Sequence, residues 1–132
     1  MGGVGLGEKG RRRPSGTDLR LFLRTADSQR LVAGNVVVAG TALRRALGLL
    51  GRRSMTPGEA LVLVPCNSVH TWFMMFPIDV VFLDRAGRIL KLYDEIRPFR
   101  FALSLAAFAA VELPARSASR AGLRPGAELF LA

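Results

Sequence analysis

The residues able to do chemistry crowd into one stretch, Pro65 to Leu83, PCNSVHTWFMMFPIDVVFL, which holds the chain's one Cys, one His and one Trp and two of its four Met. Cys66 with His70 suggests a thiol–imidazole nucleophile, the ring lowering the thiol's pKa and Asp79 orienting the ring. In extended chain, however, four residues separate the two groups by about 13 Å at 3.3 Å per residue, and only a tight turn at Asn67-Ser68 closes that distance. A lone Cys is more often a small buried hydrophobe. Cys66, His70 and Asp79 also supply three types of metal ligand, yet their spacing matches no recognised zinc pattern, so neither metal nor cofactor is expected.

Asp79 carries more information. Ile78 and Val80 flank it and its own-face neighbour Val81 is apolar, which takes the carboxylate out of bulk water. A carboxylate in that position needs donors. Arg45, Arg52 or Arg53, or else His70, are the expected source, either as a structural tie or as the floor of a ligand pocket with Trp72 as its wall. Strand-like alternation through this stretch puts His70, Trp72, Met74 and Phe76 on one side and Thr71, Phe73 and Met75 on the other. A shallow groove is expected there, its ligand-contacting residues being His70, Thr71, Trp72, Met74, Asp79 and Arg52. Trp72 as ordinary core is the competing reading.

The elements that must hold these residues follow from periodicity. Leu19, Leu21 and Leu23 alternate as a strand with one polar face, and Leu31 to Ala39 reads as one β-branched strand. Thr41 is an N-cap for a helix over Ala42 to Gly51, with Leu43, Ala46, Leu47 and Leu50 on its apolar side. Ala60 to Val64 is a strand buried on both faces and closed by Pro65. Ile78 to Leu83 and Arg88 to Tyr93 form a hairpin around Asp84-Arg85-Ala86-Gly87. Phe101 to Leu113 fits either helix or strand until its strand-like end at Ala109 to Leu113. Ser117 to Ala121 is a short helical turn, and Ala127 to Leu131 a last strand.

At 132 residues with 50% apolar content, the chain has room for one core. Residues 1–16, MGGVGLGEKGRRRPSG, read as a disordered basic arm, and 17–132 as a single globular domain. Pro14, Ser15 and Gly16 follow the basic run where a secretory signal needs an apolar core, so a cytoplasmic location is expected. The longest apolar run, Phe101 to Val111, is 11 residues against about 20 for a membrane span. The net charge of +9 raises nucleic acid or an anionic membrane as partners, but the basic residues are scattered and mostly Arg. Nucleic acid is therefore not expected.

The motifs taken together resemble a known family. Ala39-Gly40-Thr41, Arg45 to Arg52, Pro65-Cys66 with Ser68, His70 and Thr71, Phe76-Pro77-Ile78-Asp79 through Asp84, Gly87-Arg88, Val111-Glu112-Leu113-Pro114 and Gly122 to Gly126 are similar to domain of unknown function 192, from about Leu31 to Leu131. The resemblance implies an α+β fold, a curved mainly antiparallel sheet or partly closed β-barrel with one main helix, and no established catalytic activity. Two positions depart from it: Leu47 stands where the family has a basic residue, and Arg116 where it has Gly. The function read from all this is a non-enzymatic binding or accessory module, a monomer taking a small polar molecule or another protein. The alternatives are a small hydrolase using Cys66 or His70 with Asp79, and weak nucleic-acid binding through the basic surface.

Overall fold

Apart from Asp79 and Glu112, Ile78 to Leu83 and Ala109 to Pro114 are apolar on successive residues, not on alternate ones, and such strands need cover on both faces. They lie side by side at the centre of a five-stranded sheet. The computed structural model describes residues 18–40, 54–72 and 74–132. Its strands are β1 (Leu21–Arg24), β2 (Gln29–Ala33), β3 (Asn35–Ala39), β4 (Glu59–Leu63), β5 (Ser68–His70), β6 (Ile78–Leu83), β7 (Ile89–Ile96), β8 (Phe101–Leu103), β9 (Ala109–Pro114) and β10 (Leu129–Leu131), with one described helix, α1 (Ser117–Ala121). The expected helix over 42–51, Arg52 and the arm over 1–16 lie outside the described residues.

The main sheet runs β3-β4-β9-β6-β7, a second β10-β1-β2, and a third pairs β5 with β8. All these pairings are antiparallel except β3 with β4. The fold is thus a small α+β domain in which strands predominate. The sheets are open, so the expected barrel closure is absent among the described residues.

Alternation on the central strands divides the core in two. Val81, Val111 and Leu113 face one side with Leu21, Leu23, Ile89, Leu129 and Ala118. Val80, Phe82 and Ala110 face the other with Leu61, Leu63, Cys66, Val69, Met74 and Phe76. Each fully buried Val, Leu or Phe contributes about 1.5–3 kcal/mol of transfer free energy, and Phe82 and Ile78 are among the largest side chains wholly sealed from water.

The β6–β7 hairpin forms as its turn residues dictate. Asp84 Oδ1 accepts the amides of Ala86 and Arg88, each at 2.9 Å, and Gly87 turns the chain at a φ of 87°. A Cβ at Gly87 would lie 2.2 Å from the Leu129 carbonyl oxygen, so the turn also docks on β10. Two expectations are corrected. Leu31 to Ala39 is not one strand: it divides at Gly34 into β2, which joins β1, and β3, which joins β4, in keeping with the weakness of a strand that has Gly in its interior. Phe101 to Leu113 resolves into β8 and β9, separated by a turn in which Ala107 N–H reaches Ser104 O at 2.9 Å.

Candidate functional site

Asp79 is fully buried on β6, as its apolar neighbours require. Its donors differ from the expected guanidinium or imidazole: they are backbone amides. Oδ1 accepts Glu95 N–H at 2.9 Å and Arg116 N–H at 3.2 Å, and Oδ2 accepts Ala118 N–H at 2.9 Å. Two of these amides belong to residues in left-handed conformation, Glu95 at φ 50° and Arg116 at φ 74°. The third lies in the first turn of α1, where amides lack helical partners. One carboxylate therefore ties β6, β7 and α1 together. Arg116 also explains its own departure from the family pattern: the left-handed conformation it adopts is the one Gly accepts without strain, and here an Arg occupies it with Nε 3.1 Å from Glu95 Oε2.

Cys66 and His70 do not form a pair. The thiol is buried and donates to Ser68 O at 3.1 Å, while His70 is exposed on β5, its ring edge-on to Phe101 with centroids 6.4 Å apart. No described hydrogen bond joins Cys66, His70 and Asp79. Among the described residues no three His, Cys, Asp or Glu side chains converge to hold a metal ion.

Thr71 is wholly buried and faces the chain, not a ligand. Its hydroxyl donates to Arg97 O at 2.7 Å and accepts Arg100 N–H at 2.9 Å, its amide donates to Arg100 O at 2.9 Å, and its carbonyl accepts Phe99 N–H at 3.0 Å. These bonds shape the 97–100 loop, including Phe99 in left-handed conformation at φ 64°. Residues 71–72 and 74–77 form no strand, which breaks the expected alternation: Met74 and Phe76 are buried, but Trp72 is 41% exposed. Its indole meets Phe99 and Phe101 edge-on, with centroids 5.8 and 6.2 Å away. Of the six expected ligand-contacting residues, the structure brings His70 and Trp72 together around Phe101 and places Thr71, Met74 and Asp79 beneath the surface. Arg52 is outside the described residues.

The strand carrying Phe101 is clasped from the other side. Tyr93 Oη accepts Leu103 N–H at 3.1 Å and donates to Leu103 O at 2.9 Å, and Lys91 Nζ donates to the same carbonyl at 3.1 Å. Lys91 beside the phenol, helped by the bond to Leu103, holds the Tyr93 hydroxyl below its ordinary pKa. The described hollows, about 290 and 570 Å³, lie elsewhere, at Asp84, Arg85, Ala86 and Phe108.

Glu112 is the residue that the sequence reading passed over. It is 5% exposed on β9, opposite Leu61 and Val80, and no described residue hydrogen-bonds its carboxyl. Burial pushes that carboxyl up to about 7. The signal was present: Val111 and Leu113 flank it as Ile78 and Val80 flank Asp79.

The described residues form a strand-dominated α+β domain with an exposed aromatic face. The chain belongs to the DUF192 family, described as "Uncharacterized ACR, COG1430", whose model matches residues 23–131. UPF0127 protein PH1112 of Pyrococcus horikoshii is 36% identical over 73 residues, which cover 51% of this chain and 60% of that relative. A protein of unknown function from Novosphingobium aromaticivorans superposes with a TM-score of 0.73 at 17% identity, over 84% of this chain and 83% of that one. A Sinorhizobium meliloti protein whose name proposes a transcription regulator superposes with a TM-score of 0.76 at 23% identity, over 90% and 97%. At these identities the two structures share the fold alone.

Proposed function

We propose that the protein is a non-enzymatic binding or accessory module whose working surface is the aromatic face made by His70, Trp72, Phe99 and Phe101. The observation that carries this reading is an exposed indole in edge-on contact with two exposed Phe rings, Phe99 and Phe101, with an exposed imidazole against Phe101, on the β5–β8 strand pair braced by Thr71 and by Tyr93. A contiguous exposed apolar patch favours association and marks an interaction site more often than not, and an indole offers large contact area with one N–H donor. The hydrolase alternative lacks support, because the buried thiol donates to Ser68 O and the imidazole sits on the surface.

Trp72 is the one indole in the chain, so its emission reports on this face alone. Strong acrylamide quenching in the folded protein is the expected result. Blue-shifted emission that acrylamide does not quench would put the ring in the core and remove the proposed surface. Alkylation of native protein tests the alternative, since a folded Cys66 that fails to react excludes it as a nucleophile.

A further inference from the structure

We propose that the aromatic face is a docking surface for an anionic lipid bilayer. The inference rests on the reading of that face as a binding surface and names its partner. Of the nine large apolar side chains exposed among the described residues, six come from the two stretches that build or adjoin it: Trp72, Met75, Phe99, Phe101, Leu103 and Leu105. Phe101 is 68% exposed and Leu105 76%. They are presented by a rigid platform. Val69 and Ala102 of the β5–β8 pair point into the core, which leaves His70, Phe101 and Leu103 outward.

The charge of the same stretches has one sign. Residues 64–77 and 97–108 contain Arg97, Arg100 and His70 and no Asp or Glu. Nearby on β7, Glu95 is engaged by Arg116, and Asp94 is the one other acid at that end of the strand. Arg100 is exposed between Phe99 and Phe101 in the chain, and one of its guanidinium nitrogens donates to the Pro98 and Phe99 carbonyls.

Exposed aromatic and aliphatic side chains in stretches whose only charged residues are two arginines match a bilayer interface, where Phe and Leu enter the acyl boundary, an indole lies at headgroup depth and Arg meets lipid phosphate. Nucleic acid fits less well. Two arginines neutralise few phosphates, and exposed Leu103 and Leu105 offer bases nothing to stack on.

The test titrates full-length protein with phosphatidylcholine vesicles, with and without phosphatidylglycerol, and follows Trp72 emission, acrylamide quenching and co-sedimentation. A blue shift and loss of quenching with the anionic vesicles alone are expected. Arg97→Gln with Arg100→Gln should weaken binding about 25-fold. Phe101→Ser with Leu105→Ser should weaken it at least about tenfold and leave the thermal melt unchanged, because both side chains already face water. Trp72 emission that does not respond to either vesicle overturns the proposal, as does co-sedimentation that the Phe101→Ser, Leu105→Ser protein retains, which would assign binding to charge elsewhere on this +9 chain. If Trp72 is quenched by acrylamide yet ignores lipid, the binding-module reading stands and the bilayer alone is excluded.

Discussion

The two faces of the main sheet each bury one carboxyl, and they treat it differently. Val80 pairs with Glu112 and Asp79 with Leu113, so the two acids sit one step apart in register on adjacent strands and point to opposite sides. Asp79 meets three amide donors within 3.2 Å, whereas no described residue donates to Glu112. A carboxylate taken from water must be satisfied by donors or keep its proton. The α1 face follows the first course, and the opposite face follows the second, with a carboxyl raised to about 7. Burial alone therefore does not decide how a buried acid is satisfied; the backbone brought up to it does.

The sharpest way to break this contrast is Asp79→Ala, which strands three buried amide donors. A loss of about 3–5 kcal/mol is expected, seen as a fall in Tm of about 12 °C or more; a fall of under about 2 °C would show that water replaces the carboxylate. Glu112→Gln comes next and works through pH. The folded protein holds the Glu112 proton up to about 7, whereas the unfolded chain releases it near the ordinary 4.5. The contribution to stability is full below 4.5, erodes through the window between those values and is gone above it, a change of about 3 kcal/mol. Urea unfolding at pH 5 and pH 8 should show that decline in the wild-type protein and a flatter profile in Glu112→Gln; parallel profiles would assign the pH dependence to another group.

Two smaller changes test how the backbone donors and the aromatic loop are held. Thr71→Val removes a hydroxyl that both accepts and donates in the 97–100 loop, and a loss of about 2 kcal/mol is expected, accompanied by greater acrylamide quenching of Trp72. Arg116→Gly should act in the opposite direction. It relieves a left-handed φ at about 1 kcal/mol and gives up an exposed ion pair of about 0–1 kcal/mol, so thermal unfolding should show a gain of up to about 1 kcal/mol with Asp79 still bonded. A clear loss there would mean that the Arg116–Glu95 contact helps to aim the amides.

What the sequence discloses depends on how local the cause is. The β6–β7 hairpin was legible because Asp84 and Gly87 supply turn chemistry between two apolar runs. Burial of Asp79 was legible from Ile78 and Val80, but its donors were not. The amides are presented by left-handed residues, and neither Glu95 nor Arg116 has the glycine that would advertise such a backbone. Alternation does not place Trp72 relative to Met74 because it holds only within a strand, and residues 71–72 and 74–77 lie in none. Thr71 was read as facing a ligand because nothing in a short motif reveals that its hydroxyl is already used 26 residues away.

The strand order has a consequence for how the chain assembles. β9 lies between β4 and β6 and pairs with both, yet residues 109–114 follow them by about fifty and thirty positions. During synthesis β4 and β6 are therefore made early, each paired on one edge with β3 or β7, and the facing edges that β9 will join stay bare until it is made. Pairings at such sequence separation slow the search for the native state and prolong exposure of sticky intermediates. A nascent chain halted before residue 109 carries the β3–β4 pair and the β6–β7 hairpin as two separate pieces in place of one sheet, so cooperative closure of the main sheet waits on residues 109–114.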